Sequence, residues 1–169
     1  ADLECDRILR EALLGAFPED GWLSEETADD LIRLEKSRVW IVDPIDGTRE
    51  FVKQIPEYGI SVALVENGEP VVAAVLNPAT GDLCSAVKGQ GARVNGEPTN
   101  VPEYTGKLRL VSSRSEVKKG EFERFEDDAE IIVTGSIAYK LALVAMGRAD
   151  GVVSMWGCLL YTSPSPRDL

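Results

Sequence analysis

The sequence predicts an α+β protein in which an antiparallel sheet is followed by a smaller α/β unit. Residues 59–98 contain short apolar strands separated by tight-turn signals, and Asn67-Gly68 is a strong hairpin signal among them. Residues 2–17 have the apolar spacing of an amphipathic helix. From residue 107 onward, strand-like and helix-like segments alternate.

Local patterns predict the elements of the first unit, which we place at residues 1–102. The β-branched, apolar run at residues 39–42 predicts a buried strand. Pro44 lacks a backbone N–H, so we expect it to end this strand, and Gly47 lets the chain turn sharply. Further segments are predicted as an apolar step at 22–23, a short helix or loop at 28–37, a turn at 49–52, and strands at 59–65, 70–76 and 82–87.

The second unit is predicted at residues 103–157, after a linker at 101–106. Its strands are expected at 108–112, 131–133 and 152–155, and a charged helix is expected at 121–128. A second helix is predicted at 137–146, where residues 134–136 provide its N-terminal cap. The apolar face of that helix is predicted to consist of Ile137, Leu141, Val144 and Ala145.

Composition limits the possible functions. A net charge of −11 argues against a polymeric nucleic acid as partner, because no basic surface is available to neutralise its phosphates. The absence of histidine excludes Ser-His-Asp and Cys-His catalysis and most zinc sites. No apolar run approaches the roughly 20 residues of a membrane span. Three widely spaced cysteines (Cys5, Cys84 and Cys158) predict reduced thiols in a cytoplasmic protein.

The carboxylates of Asp43 and Asp46 follow the predicted central strand and are close enough in sequence to bind one cation or to bridge two. The hydroxyl of Thr48 lies beside them, and the amides of Gly47 and Thr48 can form a small nest for an anion. Hard oxygen ligands next to such amides favour Mg²⁺ and a phosphate ester. The Glu25-Glu26 pair has two interpretations, namely a solvated helix start or additional carboxylates for the metal.

The end of the chain differs in character from the rest. Residues 158–168, CLLYTSPSPRD, match the translation of a transposase sequencing adaptor, so we expect residues 158–169 to be non-native and the natural reading frame to stop near Gly157. A natural Ser/Pro-rich tail is the alternative. The chain begins at Ala1 without a methionine, and we therefore expect the fold to be incomplete at both ends.

Several motifs together resemble the inositol monophosphatase superfamily of Mg²⁺-dependent, lithium-sensitive phosphatases. They are Glu25-Glu26, WIVDPIDGT at 40–48, the GxGA bend at 89–92 and GSIAYKLALVAMGRAD at 135–150. The resemblance implies the layered αβαβα sugar-phosphatase fold, a small phosphorylated metabolite as substrate and direct attack of water on a phosphomonoester. Members of the family are often dimeric, so a homodimer is also expected.

The resemblance also implies roles for individual residues. The metal ligands would be Glu25, Asp43, the carbonyl of Ile45, and Asp46, while Thr48 would position the attacking water and Asp2 would pair with Thr48. Asp2, Glu25 and Thr48 are thus the expected catalytic residues. The residues expected to bind substrate are Asp46, Gly47, Thr48, Ser136 and Lys140. A further metal-binding aspartate of the family would fall where the adaptor begins, and Asp168 is not its equivalent.

The residues around the motif also bear on the substrate. The TREF sequence at 48–51, the SRS sequence at 113–115 and Lys140 resemble 3′(2′),5′-bisphosphate nucleotidases, in which the lysine can meet a second phosphate. Ser154 stands where animal inositol enzymes have a glutamate. These features favour 3′-phosphoadenosine 5′-phosphate over an inositol or other sugar phosphate. Two alternatives are that Lys140 is a solvated helix residue and that the chain is a metal-binding relative or fragment without turnover.

Overall fold

The computed structural model describes residues 1–29, 31–99, 106–120, 122–125 and 127–154. The helices are α1 (Asp2–Ala16), α2 (Thr48–Val52), α3 (Arg114–Lys118) and α4 (Ile137–Ala145), with 3₁₀ turns at Ile32–Glu35 and Glu123–Phe125. The strands are β1 (Gly21–Ser24), β2 (Arg38–Asp46), β3 (Gly59–Glu66), β4 (Glu69–Asn77), β5 (Asp82–Val87), β6 (Gly91–Val94), β7 (Glu97–Pro98), β8 (Leu108–Ser112), β9 (Ala129–Val133) and β10 (Gly151–Val152).

Seven strands form a large sheet in sequence order, from β1 at one edge to β7 at the other. Only β1 and β2 pair in parallel, and the remaining neighbours are antiparallel. The predicted hairpin joins β3 to β4, where Asn67 and Gly68 have φ angles of 51° and 83°. Two positive φ values in succession are required by a type I′ turn, and asparagine followed by glycine meets this requirement best. The predicted antiparallel meander is confirmed.

The central strand, β2, is longer than predicted. It continues through Pro44 to Asp46, with an irregular register, because Asp43 pairs with Ser61 and Asp46 with Gly59. One extra residue is therefore accommodated on β2, as in a β-bulge. The expectation that Pro44 ends the strand was wrong, since a proline without a ladder N–H is tolerated at a bulge. The parallel partner β1 also ends opposite Val42, so β2 has no neighbour on that side beyond this point.

The smaller sheet has three parallel strands in the order β10-β8-β9. The connection through α3 leads from β8 to β9, and the connection through α4 returns across β8 to β10. The apolar clusters place α1 on one face of the large sheet and α4 between the two sheets. Connections between parallel strands are right-handed in nearly all proteins, and two such connections in opposite directions would place α3 on the far face of the small sheet from α4. By this rule the layers are α1, large sheet, α4, small sheet and α3. The predicted layered α+β fold is confirmed.

Two apolar clusters hold these layers together. The first lies under α1, where Trp22 and Trp40 are buried by Leu9, Leu13 and other apolar side chains of that helix and of the sheet. The second surrounds α4 and contains residues from both sheets, namely Cys84, Val111, Tyr139, Ala142, Leu143, Met146 and Ala149. The helix therefore packs against both sheets at once.

The predicted apolar face of α4 is correct only in part, since Val144 and Ala145 pack against the cluster around this helix. Leu141 is 45% exposed, whereas Tyr139, Lys140, Ala142 and Leu143 are buried. A helix between two sheets is covered on more than one side, and a single-stripe pattern does not identify which sides those are.

The remaining differences from the predicted elements are local. Residues 22–23 belong to strand β1, and residues 49–52 belong to the short helix α2. The charged segment at 121–128 contains a 3₁₀ turn in its described part, and the last strand is limited to Gly151–Val152. Residues 101–105 of the predicted linker (101–106) and the whole predicted non-native tail (158–169) lie outside the described residues. Among the described helices, none is long and apolar enough to span a membrane.

Candidate metal and phosphate site

The turn after β2 brings the predicted site residues to the boundary between the large sheet and α4. Gly47 has a φ of 93° and immediately precedes α2. A Cβ atom at this position would lie 3.1 Å from the carbonyl oxygen of Glu57 and 3.2 Å from the Cβ of Ser136. Both the backbone angle and the crowding therefore require glycine here.

Glu25 and Asp43 meet where the parallel pairing of β1 with β2 ends. Ser24, the last residue of β1, pairs with Val42, so the next residue on each chain segment, Glu25 after β1 and Asp43 within β2, lies at the same end of this pair. The two carboxyl groups are close enough to share a hydrogen bond. Burial raises the pKa of Asp43 well above its usual range, and the nearby negative charges of Glu25 and Asp46 raise it further. Within the described part of the chain, the buried Oδ1 of Asp43 has no hydrogen-bond partner.

This arrangement is suited to a hard divalent cation. Glu25 is exposed and Asp43 is partly buried. Two carboxylates in contact repel each other unless they share a proton or bind a cation, and the buried Oδ1 of Asp43, which has no partner within the described residues, provides an oxygen ligand. Magnesium and calcium prefer such all-oxygen ligand sets. Across the described residues, however, no three acidic or cysteine side chains are already gathered at metal-binding distances.

Asp46 is held by the first turn of α4. Its Oδ2 accepts a hydrogen bond of 2.6 Å from the hydroxyl of Ser136 and another of 2.6 Å from the amide of Ala138. The same Ser136 hydroxyl accepts from the amide of Tyr139 and so caps the helix. A carboxylate at a helix N-terminus is also stabilised by the helix dipole. The structure thus brings Ser136 to Asp46 across 90 residues of sequence.

The hydroxyl of Thr48 donates to the carbonyl oxygen of Ile45 at 3.1 Å. Asp2 is the first residue of α1 and is partly buried. Among the hydrogen bonds of the described residues, none joins Asp2 to Thr48, so the predicted pairing of these two side chains stays a prediction. Thr48 is the first residue of α2, and its backbone N–H therefore has no partner within that helix.

Lys140 is not a solvated helix residue, because only 5% of its surface is exposed. Burial lowers the pKa of this ammonium group, and the negative charges of Glu116, Asp46 and Glu50 act in the opposite direction. Lys140 thus brings a buried positive charge close to Asp46. The structure therefore excludes the interpretation of Lys140 as a solvated helix residue.

The sequence did not reveal the role of Glu116, which is buried at the start of α3. Its carboxylate accepts hydrogen bonds from the hydroxyls of Ser112, Ser113 and Ser154, the last at 2.6 Å. The S-x-x-E pattern at residues 113–116 was an available signal, because it is the signature of a capping box. Ser154, expected in place of a glutamate, therefore contacts a carboxylate that comes from another element.

Two further contacts beside the site have no signal in the sequence. Arg114 donates two 2.6 Å hydrogen bonds to the carboxylate of Glu57, which lies 57 residues earlier in the chain. Glu50 packs over Gly135, where a Cβ atom would come within 2.4 Å of the Glu50 side chain. Both contacts connect the segment after β2 to segments that adjoin the strands of the smaller sheet, namely α3 and the loop between β9 and α4.

The model of the inositol monophosphatase family matches residues 1–164. The chain belongs to this family. It is 37% identical to an inositol-1-monophosphatase of Rhizobium meliloti, over 89% of this chain and 60% of the relative. It is also 33% identical to a histidinol-phosphatase of Chlorobaculum parvum, over 94% of this chain and 64% of the relative. The chain thus spans less than two thirds of the length of these curated relatives.

Solved structures of the family have the same architecture. The Thermotoga maritima IMPase superposes with a TM-score of 0.78 at 33% identity, covering 88% of this chain and 58% of that one. A dual-specificity IMPase/NADP phosphatase, crystallised with NADP and Ca²⁺, superposes with a TM-score of 0.75 at 27% identity and covers 88% of this chain and 59% of that one. The second relative binds an adenine nucleotide together with a divalent cation.

Proposed function

We propose that the full-length protein containing this chain is a divalent-metal-dependent phosphomonoesterase that hydrolyses a small phosphorylated metabolite. The observation that carries the proposal is the contact between Glu25 and Asp43, in which a buried carboxylate oxygen has no partner within the described residues. Asp43 is the first residue of the DPIDGT motif, and the family match supports the reaction class.

Glu25, Asp43, Asp46 and the carbonyl oxygen of Ile45 would hold the metal, for which Mg²⁺ is the best candidate among hard cations. When bound, the metal supplies Lewis-acid stabilisation of the phosphoryl oxygens and lowers the pKa of water. By resemblance to the family, we expect two or three Mg²⁺ ions and inhibition by Li⁺. The divalent cation is supported by the IMPase/NADP phosphatase relative, whose structure holds Ca²⁺ together with NADP.

The chain's own residues orient the reactants. The hydroxyl of Thr48 donates to the carbonyl oxygen of Ile45, so its lone pairs can accept a hydrogen bond from the attacking water. In the proposed pairing with Asp2, the Thr48 hydroxyl would instead donate its single hydrogen to the Asp2 carboxylate, and its lone pairs would still face the water. The amides of Gly47 and Thr48 would donate to the phosphate oxygens, since the first N–H groups of a helix lack internal partners. Ser136 would act in substrate binding through the Asp46 carboxylate that it fixes.

Among possible substrates we favour 3′-phosphoadenosine 5′-phosphate. Lys140 is buried close to Asp46, and a buried ammonium group is best stabilised by an anionic partner. The second phosphate of a nucleoside bisphosphate would be such a partner. The dual-specificity relative binds NADP, which shows that a member of the family accommodates a phosphorylated adenine nucleotide. An inositol phosphate is the second candidate, because the relative from Rhizobium meliloti is named for that activity.

The test is phosphate release by the full-length protein from both substrates, with and without Mg²⁺ and Li⁺. We expect Mg²⁺-dependent turnover of the nucleotide, and replacing Lys140 by methionine should raise KM for it by at least 10-fold with little effect on inositol 1-phosphate. Lys88→Met, at an exposed hairpin position, is the matched control and should change neither value. Equal or better turnover of inositol phosphate would contradict the nucleotide preference. Failure to release phosphate from any phosphomonoester would identify a non-catalytic relative.

The family resemblance also leads us to propose a homodimer, which sedimentation equilibrium of the full-length protein would test. Cys5 and Cys84 are free thiols in the structure. Unpaired thiols are typical of reducing compartments, and we therefore propose a cytoplasmic location. The charge of −11 remains the argument against a polymeric nucleic acid as partner.

A further inference from the structure

Helix α1 contains a buried aspartate, Asp6, that the proposed chemistry does not use. Only 6% of its surface is exposed. Its Oδ2 accepts a 2.8 Å hydrogen bond from the hydroxyl of Thr27, which lies 21 residues later in the chain. Its Oδ1 is also buried and has no hydrogen-bond partner within the described residues. Burying a carboxylate with an unsatisfied oxygen is costly, so Asp6 does not contribute simply as part of a packed core.

The partner of Asp6 belongs to the segment that carries Glu25. Thr27 follows Glu25 by two residues, and the other end of the same turn is fixed by Ser24, whose hydroxyl accepts from the amide of Glu26 at 3.3 Å. Ser24 is in turn part of β1 and pairs with Val42 of β2. The short segment that carries Glu25 is thus fastened to the large sheet at one end and to α1 at the other.

Helix α1 is a firm anchor for this purpose. Leu9 and Leu13 pack it against Trp22 and Trp40, so Asp6 has a defined position relative to β1 and β2. Asp2 lies one turn before Asp6, and side chains four residues apart on a helix occupy the same face. The bond from Thr27 to Asp6 therefore fixes the orientation of the turn at Glu25 with respect to both Asp43 and Asp2.

We propose that Asp6 and Thr27 are positioning residues that hold the Glu25 carboxylate against Asp43 in the geometry needed for a divalent cation. The inference rests on the proposed function, because it assigns a task to Glu25 at the metal. Residues that orient metal ligands through one intervening contact typically change metal affinity by about 10- to 100-fold when they are lost. The loss of the Thr27 hydroxyl should therefore weaken metal binding without removing any ligand.

The experiment measures Mn²⁺ binding to the full-length protein by calorimetry, with Mn²⁺ in place of Mg²⁺. Thr27→Val should weaken binding by about 10-fold, and Thr27→Ser, which keeps the hydroxyl, should restore it to within about 3-fold of the wild type. The matched control is Thr80→Val, because Thr80 also donates a 2.8 Å hydrogen bond to a buried aspartate, Asp82, away from the metal turn. Thr80→Val should leave Mn²⁺ affinity within about 3-fold of the wild type.

Two outcomes overturn the positioning role: wild-type affinity in Thr27→Val, or an equal loss of affinity in Thr80→Val, which would indicate general destabilisation. A second measurement separates this inference from the proposed function. Hydrogen exchange of the metal-free protein at residues 24–28 should be faster in Thr27→Val than in Thr27→Ser. If the wild type binds no Mn²⁺, the metal part of the proposed function fails, and equal exchange rates in the two variants would then overturn the positioning role as well.

Discussion

Replacing Asp82 by asparagine should make the contact between the large sheet and α4 less stable, and the effect should depend on pH. Asp82 is the first residue of β5 and accepts hydrogen bonds from Thr80, from the hydroxyl of Tyr139 and from two nitrogens of Arg148. The Arg148 guanidinium lowers the pKa of Asp82 from 3.8 to about 2, and the hydrogen bonds from Thr80 and Tyr139 also contribute. The carboxylate thus joins one sheet to the helix between the two sheets.

The magnitude follows from that difference in pKa. At 1.36 kcal/mol per pKa unit, it corresponds to roughly 2 kcal/mol of folding free energy at neutral pH. Because 47% of the Arg148 side chain is exposed and solvent screens the pair, we expect about 1–2 kcal/mol. A carboxyl group whose pKa is lowered by folding contributes its full stabilisation above the unfolded value. The contribution is lost as the pH falls from about 4 towards 2.

Urea denaturation of the wild type and of Asp82→Asn across this pH range measures the effect. The difference in unfolding free energy should be about 1–2 kcal/mol at pH 7 and about half as large at pH 3. Glu69→Gln is the control, since it breaks the exposed ion pair with Lys88 and should cost less than about 0.5 kcal/mol. A difference between wild type and Asp82→Asn that stays constant from pH 7 to pH 3 would refute the electrostatic explanation.

Three further predictions concern the turn and the first residues of α4. Gly47→Ala should lower the urea midpoint of unfolding more than Gly68→Ala does. Both glycines have positive φ, but only Gly47 has atoms within 4 Å of the added Cβ. Equal decreases of the midpoint would contradict the crowding argument. Ser136→Ala should lower the free energy of unfolding in urea by about 1–2 kcal/mol, because it removes both the N-cap of α4 and the 2.6 Å hydrogen bond to Asp46. Wild-type stability would show that neither hydrogen bond contributes. Gly135→Ala should lower the free energy of unfolding, because the added Cβ would collide with the Glu50 side chain. Adding Glu50→Ala should recover most of that free energy in a double-mutant cycle. Additive effects of the two substitutions would exclude the contact.

The sequence predicted the strands of the large sheet closely because their signals are local. Asparagine-glycine at residues 67–68 fixes a hairpin through the backbone angles of two residues, and the apolar strands on either side follow from it. The motif of the candidate site could also be recognised from the sequence, because its carboxylates, glycine and hydroxyl lie within a few residues of one another. Local backbone chemistry thus gave the turn and its candidate ligands without knowledge of the remaining chain.

Other features depend on partners that are distant in sequence. Pro44 remains in β2 because β1 ends opposite Val42 and the register with β3 shifts, and neither fact is visible from the proline itself. Likewise, Lys140 has the character of a surface residue in a helical pattern, but it is buried because α4 lies between two sheets. Burial depends on what packs against a helix from elsewhere in the chain, and a local pattern does not contain that information.

The sequence alone identifies the family and predicts a kind of chemistry and the residues expected to carry it, because the DPIDGT turn and the upstream glutamate are short, specific patterns. How these residues are held became clear from the folded chain. Asp46 is fixed by Ser136 from the first turn of α4, and Glu25 follows a strand parallel to β2. Hydrogen bonds and charge interactions act over a few ångströms of space, so they join residues that are far apart along the chain.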